Sequence, residues 1–190
     1  MMESSKIICD NDFLCSFLWA KKKDLLVNLF KDRLYVPDAV VQEIESLNTG
    51  GVGQSVYNDF RNLLTNNEIK TLSIAFGSEE EALMENIRKD FLSKFNKVIG
   101  EGELQMLTLA ISQKATYIIN TGSNNLKDIF YFIENGDINN ITTMDALCFA
   151  YEKQLENFEE LEKIKNEMIR RRRWLPKISV QDYYNSIYKK

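Results

Sequence analysis

Apolar positions recur along this chain with two different periods, and the switching between them predicts short strands separated by helices. Lys6-Ile7-Ile8-Cys9-Asp10 reads as a buried strand closed by an acid. Over 12–30, Leu14, Leu18, Leu25, Leu26 and Leu29 carry a helical spacing. Leu34-Tyr35-Val36 predicts a second strand, and Pro37 suits the first turn of a helix through Ala39-Val40-Val41 to about Ser46. Asn48-Thr49-Gly50-Gly51-Val52-Gly53 is the clearest loop signal. A helix is expected over 57–64 and a strand over 69–74. The stretch 79–95, acidic and then basic, predicts a mostly exposed helix, and 103–112 a strongly apolar one. Thr116-Tyr117-Ile118-Ile119 predicts another buried strand, followed by a polar loop over 120–125 and a helix through Phe132. A last strand is expected over 138–143, then a helix from Asp145, a charged amphipathic helix over 158–174 and a short one over 180–188. No internal repeat, low-complexity tract or proline-rich linker interrupts the series.

Strands that are apolar on both faces and alternate with helices predict an α/β fold, three layers with a central, mostly parallel sheet flanked by helices. A chain of 190 residues suits one domain, and 44% hydrophobic with 27% charged residues is ordinary globular composition. No apolar run approaches the roughly 20 residues needed to span a bilayer. The opening Met1-Met2-Glu3-Ser4-Ser5-Lys6 lacks a basic start, an apolar core and a cleavage site, so no secretory leader is expected. Cys9, Cys15 and Cys148 are odd in number and show no CxxC spacing, which points to a reducing, cytoplasmic setting rather than disulfides or zinc. The absence of histidine excludes a Ser-His-Asp triad, a His-paired thiol nucleophile, a His-bearing zinc site and a histidine general base. Chemistry must then come from carboxylates, lysines, hydroxyls or thiols. A net charge of −4 argues against broad nucleic-acid coating but leaves room for a local basic patch.

In a parallel sheet covered by helices the functional crevice lies beyond the carboxyl ends of the central strands, which directs attention to acids there. Asp10 ends the first strand. Glu43 falls in line with Ala39, Val40 and Leu47 on its helix, leaning toward the apolar face, whereas Glu45 falls on the polar side. Glu103 shares a helix face with Leu107 and Ala110, while Glu101 points elsewhere. An unpaired carboxylate beside a core face is costly and calls for a cation or strong donors. Several converging on one crevice suit a divalent ion, because Mg²⁺ and Mn²⁺ prefer oxygen ligands.

Three segments, Ile8-Cys9-Asp10-Asn11-Asp12-Phe13-Leu14, Val36-Pro37-Asp38-Ala39-Val40-Val41-Gln42-Glu43-Ile44 and Gly102-Glu103-Leu104-Gln105-Met106-Leu107-Thr108-Leu109-Ala110, resemble successive motifs of PIN domains in spacing and order. The stretch 116–119 resembles the family's fourth strand. The similarity runs roughly from Lys6 to Ala150, which implies a PIN-like domain over 1–154 and a helical extension over 155–190 packed on it. The resemblance implies a metal-dependent endoribonuclease of cytoplasmic RNA, often the toxin of a bacterial toxin–antitoxin pair and commonly a homodimer. Asp10, Glu43 and Glu103 fall on the family's first three acidic positions, and the implied role is to hold one or two Mg²⁺ or Mn²⁺ ions.

One departure stands out. Such domains usually carry further acids after the fourth strand, but here the loop reads Asn120-Thr121-Gly122-Ser123-Asn124-Asn125. Asn120 and Ser123 offer neutral oxygens as auxiliary ligands or phosphate donors. Asp145 is a candidate fourth catalytic acid, although an acid in a first helical turn also suits the helix dipole. Asp12 is an auxiliary candidate. Asp128, three positions after Asn125, resembles half of a capping box. The missing acids open an alternative: a PIN-like domain that has lost turnover and binds nucleic acid or protein. Arg170, Arg171, Arg172, Arg173 and Trp174 form the one dense basic cluster, suited to single-stranded RNA, with Trp174 stacking on a base. An acidic antitoxin is an equal candidate for it, and a solvated helix end is the plain alternative.

Overall fold

Short apolar runs form β1 (Ile7–Cys9), β2 (Leu34–Pro37) and β4 (Tyr117–Ile119), and the more polar edge strands are β3 (Ile69–Leu72) and β5 (Asn139–Ile141). In the computed structural model these strands make one sheet, every neighbouring pair parallel, in the order β3-β2-β1-β4-β5. The structure describes residues 6–119, 126–133 and 138–189. Because successive side chains of a strand point to opposite faces, β1 divides its apolar residues between two cores. Ile7 and Cys9 join one, Ile8 the other.

The first core lies under α1 (Asn11–Trp19), α2 (Lys23–Phe30), α3 (Asp38–Glu45), α4 (Gly51–Thr65), α8 (Thr143–Glu152), α9 (Phe158–Arg170) and α10 (Val180–Tyr188). The second lies under α5 (Glu79–Phe95), α6 (Glu101–Ser112) and α7 (Leu126–Ile133). The molecule is thus the expected three-layer α/β fold. With β1 at the centre of the sheet, Asp10 stands at the carboxyl edge where β1 and β4 end side by side.

Local details depart from expectation. The single helix over 12–30 is two, α1 and α2, parted at Ala20–Lys22. Lys21 takes a left-handed φ of 57°, and the Lys21 and Lys22 N–H groups close back on Leu18 and Phe17. A lysine there gives no glycine or proline signal to read. α4 begins at Gly51, inside the expected loop. Gly50 and Gly51 hold φ of 92° and 69° at its start, and Gly53 is needed for close approach. A Cβ at Gly53 would stand 2.9 Å from the Leu47 carbonyl oxygen. The helix expected over 158–174 stops at Arg170. Arg172 is left-handed (φ 62°), its N–H donates to Ile169 and that of Arg173 to Met168, closing a Schellman motif without glycine. The last strand covers Asn139–Ile141 only, and α8 starts at Thr143, earlier than Asp145.

The extension beyond residue 154 is packed on the sheet's first core through Leu161, Ile164, Met168 and Val180. Two polar ties fasten it. Lys165, 1% exposed, donates to Glu162 and to the Ile178 carbonyl, and Glu162 accepts from the Val180 N–H at 2.8 Å. Among the described residues no helix is long and apolar enough to cross a membrane.

Candidate functional site

The chain places its inward acids at one opening. A cleft of about 240 Å³ is lined by Asp10, Asn11, Asp12, Val40, Glu43, Gly100, Gly102 and Glu103. Asp10, Glu43 and Glu103, separated widely in sequence, therefore share one wall space, and Asp12 joins them at the rim.

Each acid is set by its own element. The Asp10 N–H donates to the Ile119 carbonyl at 3.0 Å, which ties the end of β1 to the end of β4. Its carboxylate Oδ1 accepts from the Phe13 N–H at 2.8 Å, so Asp10 is also the N-cap of α1. The turn-capping role and a place in the cleft coexist in this residue, which is 8% exposed. Glu43 projects from α3 into the cleft, and Asn11 Nδ2 donates to its Oε2 at 3.0 Å. Glu103, in the first turn of α6, sets its Oε2 over Gly100, 3.6 Å from where a Cβ would stand. Gly102 is the contact point between α6 and α3: a Cβ there would lie 2.9 Å from Glu43 Oε1 and 3.4 Å from Val40 Cγ2. Gln105 Oε1 accepts from the Ala39 N–H at 3.0 Å and fixes the same pair of helices at the start of α3.

The two glutamates expected to face away do so. Glu45 pairs with Arg61 at 3.4 Å, and Glu101 with Arg88 at 3.0 Å.

Electrostatics link the acids. Burial pushes the Glu43 carboxyl above its ordinary value of 4.5; the Asn11 amide pulls it back, and the charges of Asp12 and Glu103 push it up again. The buried Cys15 thiol, whose Sγ donates to Asn11 Oδ1, is pushed up to about 12, chiefly by burial. The Arg173 cation opposes that shift, and Asp12, Asp10 and Glu43 add to it. One thiol thus senses three of the acids and one cation. Yet among the described residues no three His, Cys, Asp or Glu side chains are gathered closely enough to hold an ion as they stand. The charges of Asp12 and Glu103 add to the cost of ionising Glu43, so the acids of the cleft repel one another.

Asp145 is placed elsewhere. It is the third residue of α8 and completes a capping box, its Oδ2 accepting from the Thr142 N–H at 2.9 Å and the Thr142 hydroxyl at 2.6 Å. Its Oδ1 accepts from the Tyr183 and Tyr188 hydroxyls, each at 3.1 Å. Oδ2 thus caps α8 while Oδ1 joins α10 to it, and Asp145 is not among the residues lining the cleft. Asp128 pairs with Lys97 at 2.7 Å. Asn120, Ser123 and the Asn125 half of the expected capping box lie outside the described residues.

The basic cluster divides. Arg170 and Arg171 both pair with Glu167 on α9, at 2.6 and 3.0 Å. Arg173 leaves the helix and reaches Asp12, Nη1 to Oδ1, at 2.9 Å across 161 residues of sequence. Trp174 beside it is 74% exposed. Nothing in the sequence signals the contact of Arg173 with Asp12, a residue of the cleft, and neither Asn11 nor Gly102 was among the expected site residues. Gly102 was visible as a glycine next to a candidate acid.

A larger hollow of about 660 Å³ lies among Tyr151, Glu152, Glu156 and Tyr184. Its acids already have partners, Tyr184 for Glu152 and Lys22 for Glu156, so volume alone does not select it. No protein-family model matches the chain, and no curated protein matches its sequence.

Proposed function

We propose that this protein is a metal-dependent endoribonuclease of the PIN type, acting on single-stranded RNA in the cytoplasm as the toxin of a toxin–antitoxin pair. The observation that carries the reading is the convergence of Asp10, Glu43 and Glu103 on one cleft at the carboxyl edge of a parallel sheet. The donor set fits Mg²⁺ or Mn²⁺: carboxylate oxygens only, with the mutual repulsion that a divalent cation relieves. Mg²⁺ retains several waters and is commonly held by one or two carboxylates, so a closed cage of three acids is not required.

Asp10, Glu43 and Glu103 would hold the ion, whose chemistry is activation of a water and neutralisation of phosphate charge during in-line displacement. The chain's own contribution is placement. The cap to Phe13 and the tie to Ile119 fix Asp10; Asn11 orients Glu43; Gly102 lets α6 bring Glu103 up against α3. No histidine takes part, as the composition requires.

A second reading, a PIN-like module without turnover that binds nucleic acid or a protein partner, draws on the acids' resting separation and the carboxylate-free loop at 120–125. One experiment decides between them. Labelled single-stranded RNA is incubated with wild-type, Asp10→Asn and Glu43→Gln protein in Mn²⁺, Mg²⁺ or EDTA. The nuclease reading expects cleavage that needs metal and disappears in both variants. RNA binding without cleavage favours the module, and cleavage persisting in either variant rules out this centre.

A further inference from the structure

We propose that Arg173 is the phosphate-binding side chain of this cleft, held in waiting by Asp12 and transferred to the backbone of single-stranded RNA as Trp174 stacks on the adjoining base. The inference rests on the reading of the cleft as an RNA-processing site and adds to it the residues that grip the strand.

The local backbone is built to deliver this side chain. The Schellman closure after α9 puts Arg172 in the left-handed region, which disfavours a residue with a Cβ, and turns the chain back toward α1. On the far side of the same loop, Lys165 holds the Ile178 carbonyl and Glu162 holds the Val180 N–H. The Arg173 segment is therefore anchored at both ends. Its side chain is only 26% exposed, and Nη1 meets Asp12, which lines the cleft. The Nε of Arg173 is buried with no hydrogen-bond partner among the described residues. A guanidinium offers five N–H donors in a planar fork suited to phosphate oxygens, and a single exposed carboxylate does not satisfy it. Asp12, 64% exposed, is a weak competitor, since ion pairs with an exposed partner contribute little. Arg170 and Arg171 share Glu167 and sit further back on the helix, so the cleft draws its cation from Arg173. Trp174 presents an exposed indole next in the chain, where stacking on a base needs no sequence recognition.

The test is a double-mutant cycle on RNA binding, measured by fluorescence anisotropy in EDTA so that no cleavage occurs and no ion competes. The probe is a labelled single-stranded oligouridylate, and a duplex RNA of equal length is the control. Circular dichroism verifies that each variant melts as a folded protein. Arg173→Ala is expected to weaken binding by about 10-fold, with Arg173→Lys in between. Trp174→Ala is expected to weaken the single strand by about 5-fold and leave the duplex unaffected. Asp12→Asn is expected to tighten binding by about 3-fold with Arg173 present, and by under 2-fold in the Arg173→Ala background. A purely structural Asp12–Arg173 pair predicts that both single variants weaken binding. Simple removal of negative charge predicts the same gain from Asp12→Asn in both backgrounds. Either result overturns the proposal, as does wild-type affinity in Arg173→Ala. A protein that binds in this pattern yet cuts nothing in Mn²⁺ would sink the nuclease reading and leave the strand grip standing.

Discussion

Gly102 separates function from stability more cleanly than any acid does. In Gly102→Ala the new Cβ would start 2.9 Å from Glu43 Oε1, closer than real contacts allow, while Val40 Cγ2 at 3.4 Å already touches. The carboxylate is the flexible end of a side chain, so it yields, retreating by about 0.5 Å to reach ordinary contact. For folding this displacement is cheap. Alanine is favoured over glycine within a helix by about 1 kcal/mol, which offsets a small loss at the Asn11 contact. For an ion the same displacement is large, because Mg²⁺ demands bonds of about 2.0–2.1 Å in near-octahedral geometry. A shift of a quarter of a bond length in one ligand is expected to weaken Mn²⁺ or Mg²⁺ binding by about 10-fold, in the range seen when ligand-orienting partners are lost. Isothermal titration with Mn²⁺ measures the affinity, and thermal unfolding in EDTA measures stability. Weakened metal binding with an unfolding temperature equal to or above wild type is the expected pair of results. Unchanged affinity would mean that Glu43 Oε1 does not face the ion, and the reasoning would fail at that point.

Glu43 has a raised carboxyl pKa, so its ionisation opposes folding: the penalty is absent below the ordinary value of 4.5, builds as pH rises to the raised value, and is complete above it. Glu43→Gln should therefore melt above wild type at pH 7, with the difference vanishing below about pH 4 in a pH series of unfolding curves. Asp145→Asn exchanges an acceptor of four hydrogen bonds for an amide, and a loss of about 2–4 kcal/mol is expected in urea unfolding, with faster hydrogen exchange in α10 and unchanged Mn²⁺ affinity. A lost metal isotherm there would restore Asp145 to the site. Lys165→Met strips the buried donor from the Ile178 carbonyl and Glu162, and chemical denaturation should register about 2–4 kcal/mol of destabilisation, a figure near zero showing the tie to be idle.

The sheet and most helices were legible because burial on both faces leaves a strong apolar signature in β1, β2 and β4, and because α9 and α10 carry clean helical periods with Asn157 and Ser179 as caps. Boundaries failed where a non-glycine residue took a left-handed turn. Lys21 and Arg172 each end a helix by backbone closure alone, and a lysine or arginine gives no local sign of doing so. The glycine-rich run at 50–53 misled in the opposite direction. Its first two glycines serve positive φ at the start of α4, but Gly53 serves close packing inside the helix, and composition does not distinguish those uses.

The site was legible to the extent that helical phase turns its acids toward one cleft, in which Glu43 itself stays exposed. Glu43 and Glu103 could be separated from Glu45 and Glu101 because helical phase decides which acid meets apolar neighbours, and the paired arginines on the outer two agree. Asp145 carries no such mark. A carboxylate in a first helical turn looks alike whether it waits for a metal or for hydroxyls, and here the hydroxyls come from Tyr183 and Tyr188, about forty residues on. The Asp12–Arg173 pair is further removed still, since no period or spacing links a helix start to a turn near the chain's end. What joins them is the packing of α9 and α10 on the first core, a property of the assembled fold. The extension beyond residue 154 is accordingly part of the site's physics. By anchoring the loop on both sides it sets a cation beside Asp12, whose charge adds to the cost of ionising Glu43. On the reading proposed above, Arg173 is the charge that would offset the repulsion between these acids and a phosphate backbone.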